Sequence, residues 1–76
     1  MHIIYRGETM IKLMEDRLFA DGYNDIISIS EHKVQLKYKT HDIVIEGEKL
    51  KIASFSKHEM IVFGQMLSLV FLYHDI

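Results

Sequence analysis

Apolar and polar residues alternate along most of this chain with a period of two. Lys33 to Lys39 shows it most cleanly: Val34, Leu36 and Tyr38 fall on one side, and Lys33, Gln35, Lys37 and Lys39 on the other. Such alternation predicts a strand with one buried and one solvated face. Ile26 to Ser30 is rich in β-branched residues and reads as another strand. Polar clusters punctuate the runs. Asp21-Gly22-Tyr23-Asn24-Asp25, Glu31-His32, His41-Asp42 and Ser56-Lys57-His58-Glu59 each predict a turn.

A longer pattern occurs twice. Residues 43–52 and 60–69 both fit apolar-x-apolar-x-Gly-x-x-Leu-x-apolar, with Gly47 and Gly64 in matching places. Alternation on each side of a glycine predicts two short strands and a tight turn, because glycine reaches positive φ without a Cβ clash. Gly22 is the third expected turn glycine. The chain therefore reads as a stack of hairpins.

Met10 to Ala20 fits two patterns. Ile11, Met14, Leu18 and Phe19 allow a helical face, whereas Ile11, Leu13, Leu18 and Ala20 allow two strands with Glu15-Asp16 at a turn. The strand character of the remaining chain favours strands. Before this lies a segment of different character, with a short strand at His2 to Tyr5 and a loop at Arg6-Gly7-Glu8-Thr9. Arg-Gly-Glu ahead of Met10 can be encoded by a purine-rich stretch resembling a bacterial ribosome-binding site. The expectation is that residues 1–9 are an N-terminal extension of leader type and that residues 10–76 form one β domain. The predicted fold is all-β, a small antiparallel sandwich of about seven short hairpin-connected strands. Its expected core is Leu18, Ile27, Ile29, Val34, Leu36, Tyr38, Ile43, Ile45, Leu50, Ile52, Val62 and Leu69.

The stretch from Met66 to Tyr73 departs from simple alternation because both of its faces are apolar. Met66, Val70 and Leu72 share one with Ser68, and Leu67, Leu69, Phe71 and Tyr73 make the other. A two-layer domain buries one face of each sheet, and a large apolar side chain left in water forgoes roughly 1.5–3 kcal/mol. The expectation is that Leu67, Leu69, Phe71 and Tyr73 form an interface with another subunit or a partner. The competing reading is that the N-terminal segment covers them.

Composition narrows the functional classes. The 76 residues hold 49% apolar residues, far too many for a disordered chain, and allow one modest core. With no cysteine, disulfides and thiolate metal sites are excluded. A net charge of −2 gives no bulk reason to expect nucleic-acid or acidic-lipid binding. The longest apolar stretch is broken by Gly64, Gln65 and Ser68 and is shorter than the ~20 residues of a spanning helix. The start lacks a basic region followed by an apolar run, so the expectation is a cytoplasmic protein.

No reaction chemistry emerges. The five histidines stand apart from one another, and His32, His41 and His58 fall in predicted turns, where exposed imidazoles are ordinary. The carboxylates, Asp75 included, scatter over turns and solvated faces. No serine has a nucleophile context. No enzyme activity, cofactor or metal is expected. Lys33, Lys37 and Lys39, with Lys49 and Lys51 on neighbouring strands, offer an alternative as a nucleic-acid-binding face. Against it, lysine on strand faces is a common guard against aggregation, and Tyr38 points the other way.

From Arg17 to Tyr73 the chain resembles the YabP/YqfC family of sporulation proteins. The resemblance rests on Gly22-Tyr23, Ile26-Ile27-Ser28-Ile29, Val34-Gln35-Leu36, the run Ile43-Val44-Ile45-Glu46-Gly47-Glu48-Lys49-Leu50-Lys51-Ile52, and Ile61-Val62-Phe63-Gly64 followed by Leu69 and Tyr73. His41 and Glu59 stand where the family often has glycine. The resemblance implies a small non-catalytic β protein of the mother cell, tied to spore coat, cortex or engulfment steps. It also implies action beside a membrane protein. The expected function is therefore assembly or scaffolding through sheet-mediated contact with itself or with a membrane-associated partner.

Overall fold

The computed structural model describes residues 2–6 and 9–74. The expected all-β class holds. Seven strands run β1 His2–Arg6, β2 Thr9–Leu13, β3 Arg17–Asp21, β4 Asp25–Ile29, β5 Lys33–Lys37, β6 His41–Phe55 and β7 Glu59–Tyr73. All neighbours are antiparallel, in the order β1-β2-β3-β7-β6-β5-β4. The ambiguous segment is two strands: Met14 N–H donates to Arg17 O at 2.9 Å across the Glu15-Asp16 turn. His2–Arg6, assigned to the extension, lies along β2 with Ile4 opposite Ile11. Gly7, Glu8 and Asp75 lie outside the described residues.

The hydrogen bonds join every strand into one sheet, and that sheet folds over itself. β5 pairs with the first part of β6, Asp42 to Glu46, which pairs with the last part of β7, Ser68 to Leu72. β3 pairs instead with the start of β7, Glu59 to Phe63, which pairs with the end of β6, Lys51 to Phe55. One core cluster draws on both halves, with Ile11, Leu18, Ala20, Met60 and Val62 from one and Val34, Leu36, Ile43 and Ile45 from the other. The two halves are therefore the two layers of the expected sandwich, linked by the long β6–β7 ribbon.

The ribbon's corner corrects the reading of two glycines. Gly47 and Gly64 lie inside β6 and β7, where the pairing register slips between Glu46 and Gly47 and again between Glu48 and Lys51. They are the two sides of one bend and not the tips of two hairpins. A Cβ on Gly47 would strike the carbonyl oxygen of Gln65, and one on Gly64 would lie 2.7 Å from Lys49 O. The strands can cross so closely only where side chains are missing. Lys49 takes positive φ, 52°, at the same bend. The loop between β4 and β5 caps it: Gly47 N–H donates to His32 O and Leu50 N–H to Glu31 O, so the amides freed by the bulges stay satisfied. Gly22, at φ 87°, does occupy a turn, as expected.

Eight of the twelve expected core residues are buried, and Ile52 and Leu69 pack against them. Ile27 and Ile29 are the exceptions, 48% and 47% exposed. β4 is an outer strand with a register slip between Ile26 and Ser28, which leaves Ile26 as its core contact. Tyr23 joins the core from a predicted turn. Its hydroxyl lies 2.7 Å from Ser56 O and 2.8 Å from Glu59 O, and Gly22 N–H donates to His58 O, so the β3–β4 loop is tied to the β6–β7 turn. Burial, with the charges of Glu59 and Asp21, raises the Tyr23 phenol pKa.

Tyr38 is the opposite case. Its hydroxyl is buried with no hydrogen-bond partner among the described residues, and burial, reinforced by Asp21 and Tyr23, raises its pKa. A lone buried hydroxyl costs about 1–3 kcal/mol of desolvation, whereas a satisfied one adds about 1 kcal/mol. Tyr38→Phe should therefore leave stability unchanged or raise it by about 1 kcal/mol, while Tyr23→Phe should lower it by about 1–2 kcal/mol. Urea unfolding of the two variants checks the difference in sign.

Candidate functional site

The surface that stands out is the part of β7 beyond Gly64. No charged residue occurs between Met60 and Tyr73. β3 ends its pairing at Phe63, so along Gln65 to Val70 the side of β7 turned away from β6 has no strand neighbour among the described residues.

The face expected to be an interface is split. Leu69 sits opposite Ile45 and Phe71 opposite Ile43. Residues directly opposite in an antiparallel pair share a face, and both isoleucines are fully buried. Leu69 and Phe71 accordingly are partly buried and pack against the core. Leu67 is the extra residue where Ser68 pairs Glu46 and Met66 pairs Gly47, and it projects at 61% exposure. Tyr73 is also exposed. The outward face instead carries Val70, opposite Val44, and Leu72, opposite Asp42, at 40% and 48% exposure. Strand phase alone does not say which apolar face meets the core.

The lysine face lies beside this surface and is electrically balanced. Lys33 stands opposite Glu46, and Lys37 opposite Asp42. Gln35 Nε2 donates to Asp42 Oδ2 at 2.9 Å, and His74 Nε2 lies 2.7 Å from Asp42 Oδ1. Lys49 and Lys51 do not extend the row, since β5 pairs only with Asp42 to Glu46 and both lysines fall beyond the bend.

Desolvation of the Asp42 carboxyl acts to raise its pKa. The hydrogen bonds from His74 and Gln35, with the charges of His74 and Lys37, outweigh it and hold the group below its ordinary value of 3.8. A carboxylate with a lowered folded-state pKa contributes stability that is present above the ordinary value and lost as pH falls through the lowered one. Asp42→Asn should therefore flatten the loss of stability below about pH 4. Thermal melts between pH 2 and 6 (a range chosen to bracket the carboxylate titration, ~3.9) would detect this.

His41, expected at an exposed turn, is the first residue of β6 and only 3% exposed. Its ring stacks on Tyr38 at 5.2 Å and 6° and on Phe71 at 5.2 Å and 26°, with Tyr73 tilted at 5.5 Å. Thr40 Oγ1 lies 3.0 Å from Nδ1. The turn falls one step earlier, where Tyr38 N–H donates to His41 O. The polar sequence His41-Asp42 thus concealed an aromatic stack closing one end of the core.

Apolar side chains are also exposed at Ile27 and Ile29 on β4 and at Phe55 at the end of β6. On β4 the Asp25 carboxylate accepts from Ile26 N–H at 2.8 Å. The end of β6 carries exposed Lys51. Across the second layer Lys12 lies 5.7 Å over the Phe19 ring and Arg17 4.7 Å over Phe63, covering half-buried aromatic rings with cations. A shallow apolar groove of about 180 Å³ runs between the layers beside β7, lined by Leu13, Leu18, Ile45, Met66 and Leu67 among others. Among the described residues no three His, Asp or Glu side chains are grouped to hold a metal, and no helix is long and apolar enough to cross a membrane. No family model matches the chain, and no curated protein or solved structure matches it either.

Proposed function

We propose that this chain is a non-catalytic assembly module that works through sheet-mediated contact, with itself or with a membrane-associated partner. The observation that carries this reading is the uncharged second half of β7, with Leu67, Val70 and Leu72 exposed and a strand side without a neighbour among the described residues along Gln65 to Val70. A strand side of this kind offers main-chain donors and acceptors to an added strand, and the projecting side chains supply apolar contact. The resemblance to the YabP/YqfC family adds the setting: spore coat or cortex assembly, in the mother-cell cytoplasm, beside a membrane protein.

An affinity pull-down from membrane extracts of sporulating source cells tests it. The tagged protein should recover one membrane protein, and the Val70→Glu/Leu72→Glu variant should lose it while remaining folded. Recovery of the protein alone, together with equal expression in growing cells, would remove the sporulation setting.

The alternative, a nucleic-acid face at Lys33, Lys37 and Lys39, fits less well. Glu46 and Asp42 stand opposite the first two lysines. The aromatic–cation pairs of the second layer, Phe19 with Lys12 and Phe63 with Arg17, are the feature that keeps it open. Binding of a labelled oligonucleotide that weakens steeply with salt and is lost in Phe19→Ala/Phe63→Ala would establish it.

A further inference from the structure

We infer that the pair formed by His74 and Asp42 is a pH-responsive latch, which holds the end of β7 against β6 while the imidazole is charged and loosens it when the ring is neutral. The inference concerns the isolated chain and stands apart from the assembly reading.

Three contacts hold the chain where it leaves β7. His74 N–H donates to Thr40 O at 3.0 Å, His74 Nε2 lies 2.7 Å from Asp42 Oδ1, and the Tyr73 ring tilts against His41 at 5.5 Å. Strand pairing ends there, with Tyr73 opposite His41. His41 and Asp42 are neighbours on β6 and so point to opposite faces. One meets the aromatic rings that close the core, and the other meets His74 outside. The side chains of the outer pair are partly shielded, 34% exposed for His74 and 14% for Asp42. His32 offers a contrast. It lies 3.5 Å from Glu31 and 3.6 Å from Glu48, but all three side chains are more than half exposed, where water screens the attraction.

Imidazole is the side chain whose charge ordinarily changes between about pH 5 and 8. Asp42 stays ionised across that span, because its pKa is held below 3.8. A neutral ring can still donate its Nε2–H to the carboxylate, but a bond from the charged ring is roughly twice as strong. Pairing thus favours the charged form. Its contribution is present at the acid end of the span and lost as pH rises through the imidazole titration.

Opening the latch strands no charge. Gln35 Nε2 still donates to Asp42 Oδ2 at 2.9 Å, and Lys37 still stands opposite the carboxylate. Lys37 is itself shared with Asp25 on β4. The remaining titratable groups at this end are Lys39 in the β5–β6 turn, the Tyr73 phenol and His41, with Asp75 outside the described residues. His41 is the second imidazole, so the test must separate the two rings.

Hydrogen exchange of the His74 amide does so. It is read by NMR on the full chain at about pH 5.5 and about pH 8, either side of the imidazole titration, and corrected for the intrinsic rate at each. Protection should be about threefold higher at the acid pH. The Met14 amide, which donates to Arg17 O at the β2–β3 turn, should show no such change. His74→Gln keeps a neutral donor and should give the same protection at both pH values. Asp42→Asn keeps the ring, with its own effect on the amide, and should also be flat. Equal protection of the wild type at both pH values overturns the inference. A pH dependence that persists in either variant assigns the effect to His41 and overturns it as well.

Discussion

Alanine at Gly64 is expected to strip the protein of most of its stability. Two separate effects add. The residue sits at φ 130°, a region that side-chain-bearing residues avoid. The new Cβ would also lie 2.7 Å from Lys49 O and 3.0 Å from Leu50 Cα. Both are backbone atoms of the facing strand, so no side-chain rotation relieves the overlap. The ribbon must open at the bend, and the two layers share one core across that bend. Backbone strain alone costs about 1–3 kcal/mol, and displacement of the layers adds cavity terms of similar size. The whole stability of a chain this long is roughly 4–11 kcal/mol. Gly47→Ala should behave alike, because its Cβ meets Gln65 O. Gly22→Ala, in an outlying loop, should cost no more than about 1–2 kcal/mol. Urea unfolding of the three variants separates these cases. Equal, small losses at all three positions would show that the bend is not built as described.

Glutamate at both Leu69 and Phe71 is expected to unfold the domain, whereas glutamate at both Val70 and Leu72 is expected to leave it folded. The four residues are consecutive and similarly apolar, and they differ only in the face they share. Leu69 and Phe71 pack against the core beside Ile45 and Ile43. Each replacement removes a packed side chain, worth about 2–5 kcal/mol, and places a carboxylate where it must be desolvated. Two together exceed the stability available to the fold. Val70 and Leu72 already meet water, and substitutions at such positions usually change stability by about 0.5 kcal/mol or less. Circular dichroism and urea unfolding read the contrast. A folded Leu69→Glu/Phe71→Glu variant would place those residues on the surface.

The positions of the strands were largely legible in the sequence. Clean alternation marked β5, and the apolar and polar runs around Glu15-Asp16 resolved into β2 and β3. Legibility ended where one local pattern permits two structures. Gly47 and Gly64 each fit a hairpin tip, and each is in fact half of a bend that requires the other. Ile27 and Ile29 carry strand character, yet Ile27 is the extra residue of a bulge and Ile29, opposite buried Val34, closes an outer strand, so both meet water. His41 follows a polar turn and lies in the core, because the rings of Tyr38, just after β5, and of Phe71 and Tyr73 on β7 converge on it. No residue-level pattern records those partners.

The sequence by itself determined the class. Period-two alternation over so much of the chain leaves strands as the means of burying its apolar residues, and the lack of cysteine leaves packing alone to hold them. Only the tertiary structure decided how the strands join and which apolar face of β7 remains outside. The reason is physical: alternation fixes that neighbouring residues point in opposite directions, but the inward direction is set by the second layer. That layer is placed by the close crossing of two backbones at Gly47 and Gly64, far apart in sequence and in contact only once the chain has folded.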